Sequence, residues 1–447
     1  MESAAPWIVL AAYCLVTWWV TPRKVEAGQF FDGRSNTGAS PGIWLVAMSA
    51  AITWIFAKSI ANASDLSFAF GVTGGIGYTI YYLSFVVAGV TIYFLRTRGG
   101  YRSLPHMLIE KYGNICAKLF LITIGFRLLN EVWSNTKVMS LYFGPEGSGS
   151  YWTAAVLITL FTLSYAWSGG MRASLLTDRL QTFVVFGLLG VVLAILLPGL
   201  ESKGISAVDD ATQSAGLTFC ALAAVQILSY PFHDPVLTDR SFISEPRDML
   251  KSFIIAGVLS GSFIFLFSIV GLYGKAYGLP ASPSVSVPAS FGLVMMLMSN
   301  GIMLRSGGST IDSTFTSVAK MSAVDWRNDR TERFGSRLTT GRLAILAVAI
   351  LGNLPLLTVY AGDKIGPAII AATTISGTMV MGLDRYFCCH GFLARAQRAF
   401  ILPSGPGSSW VSCVRSKHLC TSAFFLLFWL WELENTLSTS ASMSMDC

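Results

Sequence analysis

The sequence predicts an all-α polytopic membrane protein, with one helix preceding a core of two five-helix groups of opposite orientation. Three observations predict it. Of 447 residues, 53% are hydrophobic and 12% charged, at a mean hydropathy of +0.59, whereas soluble domains carry about a quarter charged residues. Apolar stretches close to the ~20 residues that a spanning helix needs follow one another along the chain. The basic residues alternate between successive loops, as topology signals do.

The elements follow in order. Residues 1–20 have an apolar core with no preceding basic region and no small-residue cleavage site, so they read as a retained first span. Further spans fall near 42–70, 74–95, 117–140, 151–168, 173–198, 214–232, 252–274, 290–322, 342–359 and 365–384. One set of alternate loops holds eighteen basic residues, from Arg23 and Lys24 through Arg96, Arg172 and Arg240 to Arg342. The other set holds Lys203, Lys275 and Lys364. This asymmetry places the N-terminus outside. With 7–20 set aside, ten spans divide into two groups of five, and an odd group size turns the second group upside down. An inverted repeat follows from that topology, without residue-level similarity between the halves. The expected divisions are 1–41 (extra helix and loop), 42–198 (first repeat), 199–385 (second repeat) and 386–447 (a divergent tail).

The formal charge of +7 does not imply nucleic acid, because the basic residues form neither a stripe nor a tail. Cys14, Cys116 and Cys220 lie in apolar segments and five more crowd the last 60 residues, which is no disulfide framework. Neither Cys388-Cys389-His390 nor Gly71-Val72-Thr73-Gly74-Gly75 has the spacing of a zinc site or a phosphate loop. The chain reads as a non-enzyme without an organic cofactor.

Charges at membrane depth are functional candidates by default: Lys58, Asp65, Arg127, Glu131, Asp178, Arg305 and Asp312. Arg127 and Glu131 stand four apart and can neutralise each other. The run Asn62-Ala63-Ser64-Asp65-Leu66-Ser67 is small and polar inside an overlong span, which predicts a broken helix there, tolerated where it lines a cavity. Ser306, Ser309, Thr310, Ser313 and Ser317 make one hydroxyl stripe at helical spacing. The stripe suits helix packing and equally a hard cation such as sodium, which oxygens bind.

These residues resemble the sodium:solute symporter family. Ala63-Ser64-Asp65-Leu66-Ser67 is similar to the unwound first core helix of its proline-type members. The glycine pair Gly169-Gly170, followed by Thr177-Asp178 and Gln181, matches a second motif. Ser309-Thr310-Ile311-Asp312-Ser313, with Asp325 beyond, resembles the eighth-helix signature, and Tyr230 to Arg240 around Pro235 is similar to the sixth helix. The ordered set covers about 20–385. The resemblance implies a leucine-transporter-like fold and a sodium site formed by backbone oxygens of Ala63, Leu66 and Ser306 with the hydroxyls of Ser309 and Thr310. It implies Asp65 as a coupling residue, Asp178 on the inward ion path, and Ser67 and Tyr230 facing the substrate cavity.

Ala69 stands where proline-type carriers have an aromatic, so proline selectivity does not carry over. Lys58 and Arg305 are unusual for the family and can pair with Asp65 or Asp312, meet an anionic substrate group, or take the place of sodium. The expectation is sodium-coupled symport of a small polar organic solute (amino acid, urea or carboxylate) across a bilayer, the plasma membrane before an organelle, with self-association left open. A sodium-independent facilitator or channel, and a transport-inactive sensor, are the competing classes.

Overall fold

The computed structural model describes residues 4–228, 230–326 and 334–360. They contain helices and no strand, in the order α1 (Ala5–Val20), α2 (Ala27–Asp32), α3 (Ile43–Trp54), α4 (Ala57–Phe70), α5 (Val72–Ile80), α6 (Ser84–Thr97), α7 (Leu104–Ser140) and α8 (Gly149–Lys203). There follow α9 (Asp210–Gln226), α10 (Tyr230–His233), α11 (Pro235–Ser241), α12 (Pro246–Ala276), α13 (Pro283–Ser290), α14 (Leu293–Lys320) and α15 (Phe334–Leu351). The expected span 365–384 and the tail 386–447 lie outside the described residues.

Four stretches are long and apolar enough to cross a membrane: Val72–Thr97, Gly149–Lys203, Pro246–Ala276 and Ser336–Tyr360. The pair α3 and α4 joins them as one span broken by a 58° bend. The 55-residue α8 is two antiparallel-capable segments, 149–169 and 171–203, interrupted at Gly170 (φ 52°, ψ −144°). That break separates the two spans expected at 151–168 and 173–198.

Apolar side chains fill the core, among them Phe85, Phe253, Phe263 and Phe315, and cover the outside as well. Large apolar side chains point outward, as Ile115, Leu119, Ile122 and Phe126 do along one face of α7, where lipid receives them. The polar helix α14 is at the centre, and every residue from Ser306 to Lys320 is buried. With lipid as solvent, apolar contact drives little association, so close backbone approach and interhelical hydrogen bonds carry the packing. Helix α4 shows how: a Cβ at Gly74 of α5 would collide with the Leu66 carbonyl, and one at Gly271 of α12 with the Ser64 carbonyl. The small residues of 61–67 let α4 seat between both neighbours.

Gly170 is the local constraint on this arrangement. Its φ of 52° disfavours a side chain, and a Cβ there would stand 2.5 Å from the Phe30 carbonyl oxygen of α2. Gly170→Val is expected to cost about 1–3 kcal/mol and to lower the thermal midpoint of the detergent-solubilised protein. A wild-type midpoint would contradict the break.

Candidate functional site

The break between α3 and α4 opens at Ile55 and Phe56, two turns before the expected Asn62–Ser67 run, which is continuous helix. The run Ile52-Thr53-Trp54-Ile55-Phe56 is β-branched and aromatic, and such residues are poor helix formers. Small polar residues at 61–67 instead answer the demand for close packing just described. The groups freed by the break find partners in other helices. The Thr53 carbonyl accepts from Thr310 Oγ1 (3.1 Å), the Trp54 carbonyl from the Tyr82 hydroxyl (2.9 Å), and Lys58 N–H donates to Asn135 Oδ1 (3.3 Å).

This shift moves three expected site residues away from the break. Ala63 sits within continuous helix, and the Leu66 carbonyl lies against Gly74 of α5. Ser67 is fully buried, its hydroxyl 2.7 Å from the Ser268 carbonyl and 3.0 Å from that of Ser64, so it faces α12 and no cavity. Asp65 is exposed on another face of α4. Tyr230 does reach the break, its ring 4.9 Å from Trp54. Lys58 pairs with Glu131 at 2.7 Å and not with Asp65. Arg305 donates to its own helix at Gly301 O (3.0 Å) and not to Asp312.

The hydroxyl stripe of α14 faces the end of α3 and the inner segment of α8, and all five of its members are buried. Ser309 Oγ donates to Asp178 Oδ1 at 2.5 Å. Thr310 Oγ1 lies 3.0 Å from the Ser306 carbonyl as well as meeting Thr53. Ser313 Oγ is 3.0 Å from Thr53 Oγ1. Ser306 Oγ, fully buried, has no hydrogen-bond partner among the described residues. Oxygens of Thr53, Ser306, Ser309 and Thr310 thus converge from two helices, a donor set suited to a hard monovalent cation.

Next to this set, on the basic side of the membrane, lies a cluster that the sequence reading had divided between loops and spans. Arg240 of α11 is the largest fully buried side chain among the described residues. Its guanidinium donates to Ser313 Oγ (2.6 Å), Ser49 Oγ (2.9 Å), Asp178 Oδ2 (3.2 Å) and Ser174 Oγ (3.2 Å). Asp178 also accepts from Ser49 (2.5 Å), while Asp312 accepts from Tyr165 (2.7 Å) and Ser174 (2.8 Å). By sequence Arg240 reads as a topology charge and as the end of the sixth-helix segment, with no sign of these partners. Two carboxylates and one guanidinium, exposed by 1% or less, sum formally to −1.

About two turns further along α14, Lys320 Nζ meets Asp239 Oδ1 at 2.7 Å. Below it opens a cavity of about 520 Å³ whose lining includes Arg34, Arg96, Arg102, Lys320, Asp325 and Arg337. Short α11 is therefore fastened on several sides: Asp234 to Arg127 (2.8 Å), Asp239 to Lys320, Arg240 to Asp178, and the Ser241 carbonyl to Arg96 (2.7 Å). It lies between Lys320, which lines the cavity, and Ser313 of the hydroxyl stripe.

Breaking a buried pair by removing one partner costs about 3–5 kcal/mol, because the other charge is left uncompensated. Arg240→Met is expected to lower the thermal midpoint strongly, and adding Asp178→Asn to recover part of the loss. Equal midpoints for wild type and Arg240→Met would remove the guanidinium from its role as the tie.

No protein-family profile and no curated protein matches the sequence. Among solved structures, the fold is similar to one described as the substrate-bound outward-open state of a Na+-coupled sialic acid symporter with a novel Na+ site. The match has a TM-score of 0.67 at 16% identity and covers 86% of this chain and 85% of the other. The chain accordingly has the all-α polytopic fold of a membrane symporter.

Proposed function

We propose that the protein is a secondary active transporter that uses sodium to carry a small polar organic solute, an amino acid, urea or carboxylate, across the plasma membrane. The observation that carries this reading is the convergence of the Thr53, Ser306, Ser309 and Thr310 oxygens beside Asp178. A hard monovalent cation is bound by such oxygens. The Thr53 and Ser306 carbonyls, the Ser309 and Thr310 hydroxyls and the unpartnered Ser306 Oγ would hold it. Thr53 takes the place first given to Ala63 and Leu66. The likeness to a structure described as Na+-coupled supports the same ion.

The path follows from the placement of the charges. Asp65 and Asn62 are exposed on one face of α4, where Asp65 attracts cations toward the break. Bound sodium fastens the end of α3 to α14, while Tyr230 and Trp54 wall the solute position at the break. Asp178 stands between that site and Arg240, on the inward route. Inward release requires α11 to withdraw, which opens the route to the inner cavity. The two five-helix groups, 42–198 and 199–385, would move against each other as inverted repeats in alternating access.

In proteoliposomes, an inward sodium gradient is expected to concentrate at least one solute of a radiolabelled amino-acid, urea and carboxylate panel, and an equal choline gradient to concentrate none. Ser309→Ala with Thr310→Ala is expected to raise the sodium concentration for half-maximal uptake more than tenfold, about 1.4 kcal/mol or more. Equal uptake in choline would favour a facilitator.

A further inference from the structure

We propose that the carried solute presents a carboxylate, and that the Lys58 ammonium receives it where the outward path meets the break. This rests on reading the chain as a transporter. Lys58, Asn62, Asp65 and Ala69 lie at helical spacing on one face of α4; Asn62, Asp65 and Ala69 are exposed and Lys58 is half-buried. A face that carries two charges and an amide at this depth is unfavourable against lipid, so it lines water. Lys58 is the innermost member of the stripe, in the first turn of α4 after the break.

Lys58 begins a chain of four charges that runs into the protein. Its Nζ is 2.7 Å from Glu131 Oε2, Arg127 is 3.6 Å from Glu131 Oε1, and Arg127 is 2.8 Å from Asp234 Oδ2. Side-chain exposure is 23% at Lys58, 7% at Glu131, 14% at Arg127 and 3% at Asp234, greatest at the lysine. Water therefore reaches the chain at its lysine end.

The partners are unequal. Glu131 has two cations beside it, and Arg127 is committed on both sides, to Glu131 and to Asp234. Lys58 has one carboxylate and three N–H donors, with the ring of Phe56 5.2 Å from its Nζ. If Lys58 turns from Glu131 to an incoming carboxylate, Glu131 keeps Arg127 beside it, 3.6 Å away. A neutral solute offers Lys58 no such exchange, because leaving an anionic partner for a dipole at membrane depth is unfavourable. The displaceable pair therefore selects for an anionic group.

The test uses the full-length protein in lipid nanodiscs, followed by its thermal midpoint as ligand is added. Lactate and other monocarboxylates, a set of amino acids, urea, and lactamide (the uncharged counterpart of lactate) are each titrated in sodium and in choline buffer. At least one carboxylate is expected to raise the midpoint, and lactamide and urea are expected not to. Lys58→Gln is expected to raise that ligand's half-saturating concentration at least tenfold, and Lys58→Arg to restore most of the affinity. Glu131 retains Arg127 in both variants, so both are expected to fold. A monocarboxylate response without an amino-acid response, or the reverse, says which molecule carries the group. Stabilisation by urea or lactamide alone, by no carboxylate, or by a carboxylate equally in Lys58→Gln overturns the inference. An equal carboxylate response in choline leaves Lys58 as the receptor and contradicts sodium coupling instead.

Discussion

The buried contact of Arg240 with Asp178 is the constraint around which the inner half of the protein is organised. A guanidinium with no exposure to water must satisfy its donors from neighbouring helices, and here α3, α8 and α14 supply them through Ser49, Ser174, Asp178 and Ser313. That requirement fixes the register of α14 against α8 and seats α11 against both. Among the described residues, Asp312 beside this contact is held by Tyr165, Thr177, Ser174 and its neighbour Ser313.

The outer half is governed by a different balance. Around the break in α3 and α4, Lys58, Glu131, Arg127 and Asp234 alternate in sign and sum to zero, so nothing there demands an added ion. On the proposed reading the two halves differ in what they receive: one cation beside Asp178, and an exchange partner for Lys58. The wall between them is the end of α3, whose Thr53 carbonyl is held by Thr310 and whose Trp54 ring packs against Tyr230. A change in either site acts on the same short stretch of backbone.

Much of the fold was legible in the sequence, because apolar runs and alternating basic loops are imposed by the bilayer itself. The α14 stripe was legible because helical periodicity survives when all its members are buried. The break was misplaced for a physical reason: a small polar run such as Asn62–Ser67 answers equally to unwinding and to close packing, and only Gly74 and Gly271, distant in sequence, decide between them. Nearness along the chain offers Lys58 only Asp65 as a local partner, whereas its partner Glu131 comes from α7. Arg240 was missed because a basic residue near a span end reads as a topology marker. No local pattern distinguishes it from Arg247, and its partners Ser49, Asp178 and Ser313 are set by the packing of four helices.

Equilibrium binding of radioactive sodium to the purified protein tests the central claim most directly, since it needs no knowledge of the solute. The account predicts saturable binding that excess unlabelled sodium displaces and choline does not, and that is lost when Ser309 and Thr310 are both replaced by alanine in protein that remains folded. Absence of displaceable binding in the wild type, or binding unchanged in the double variant, would contradict it.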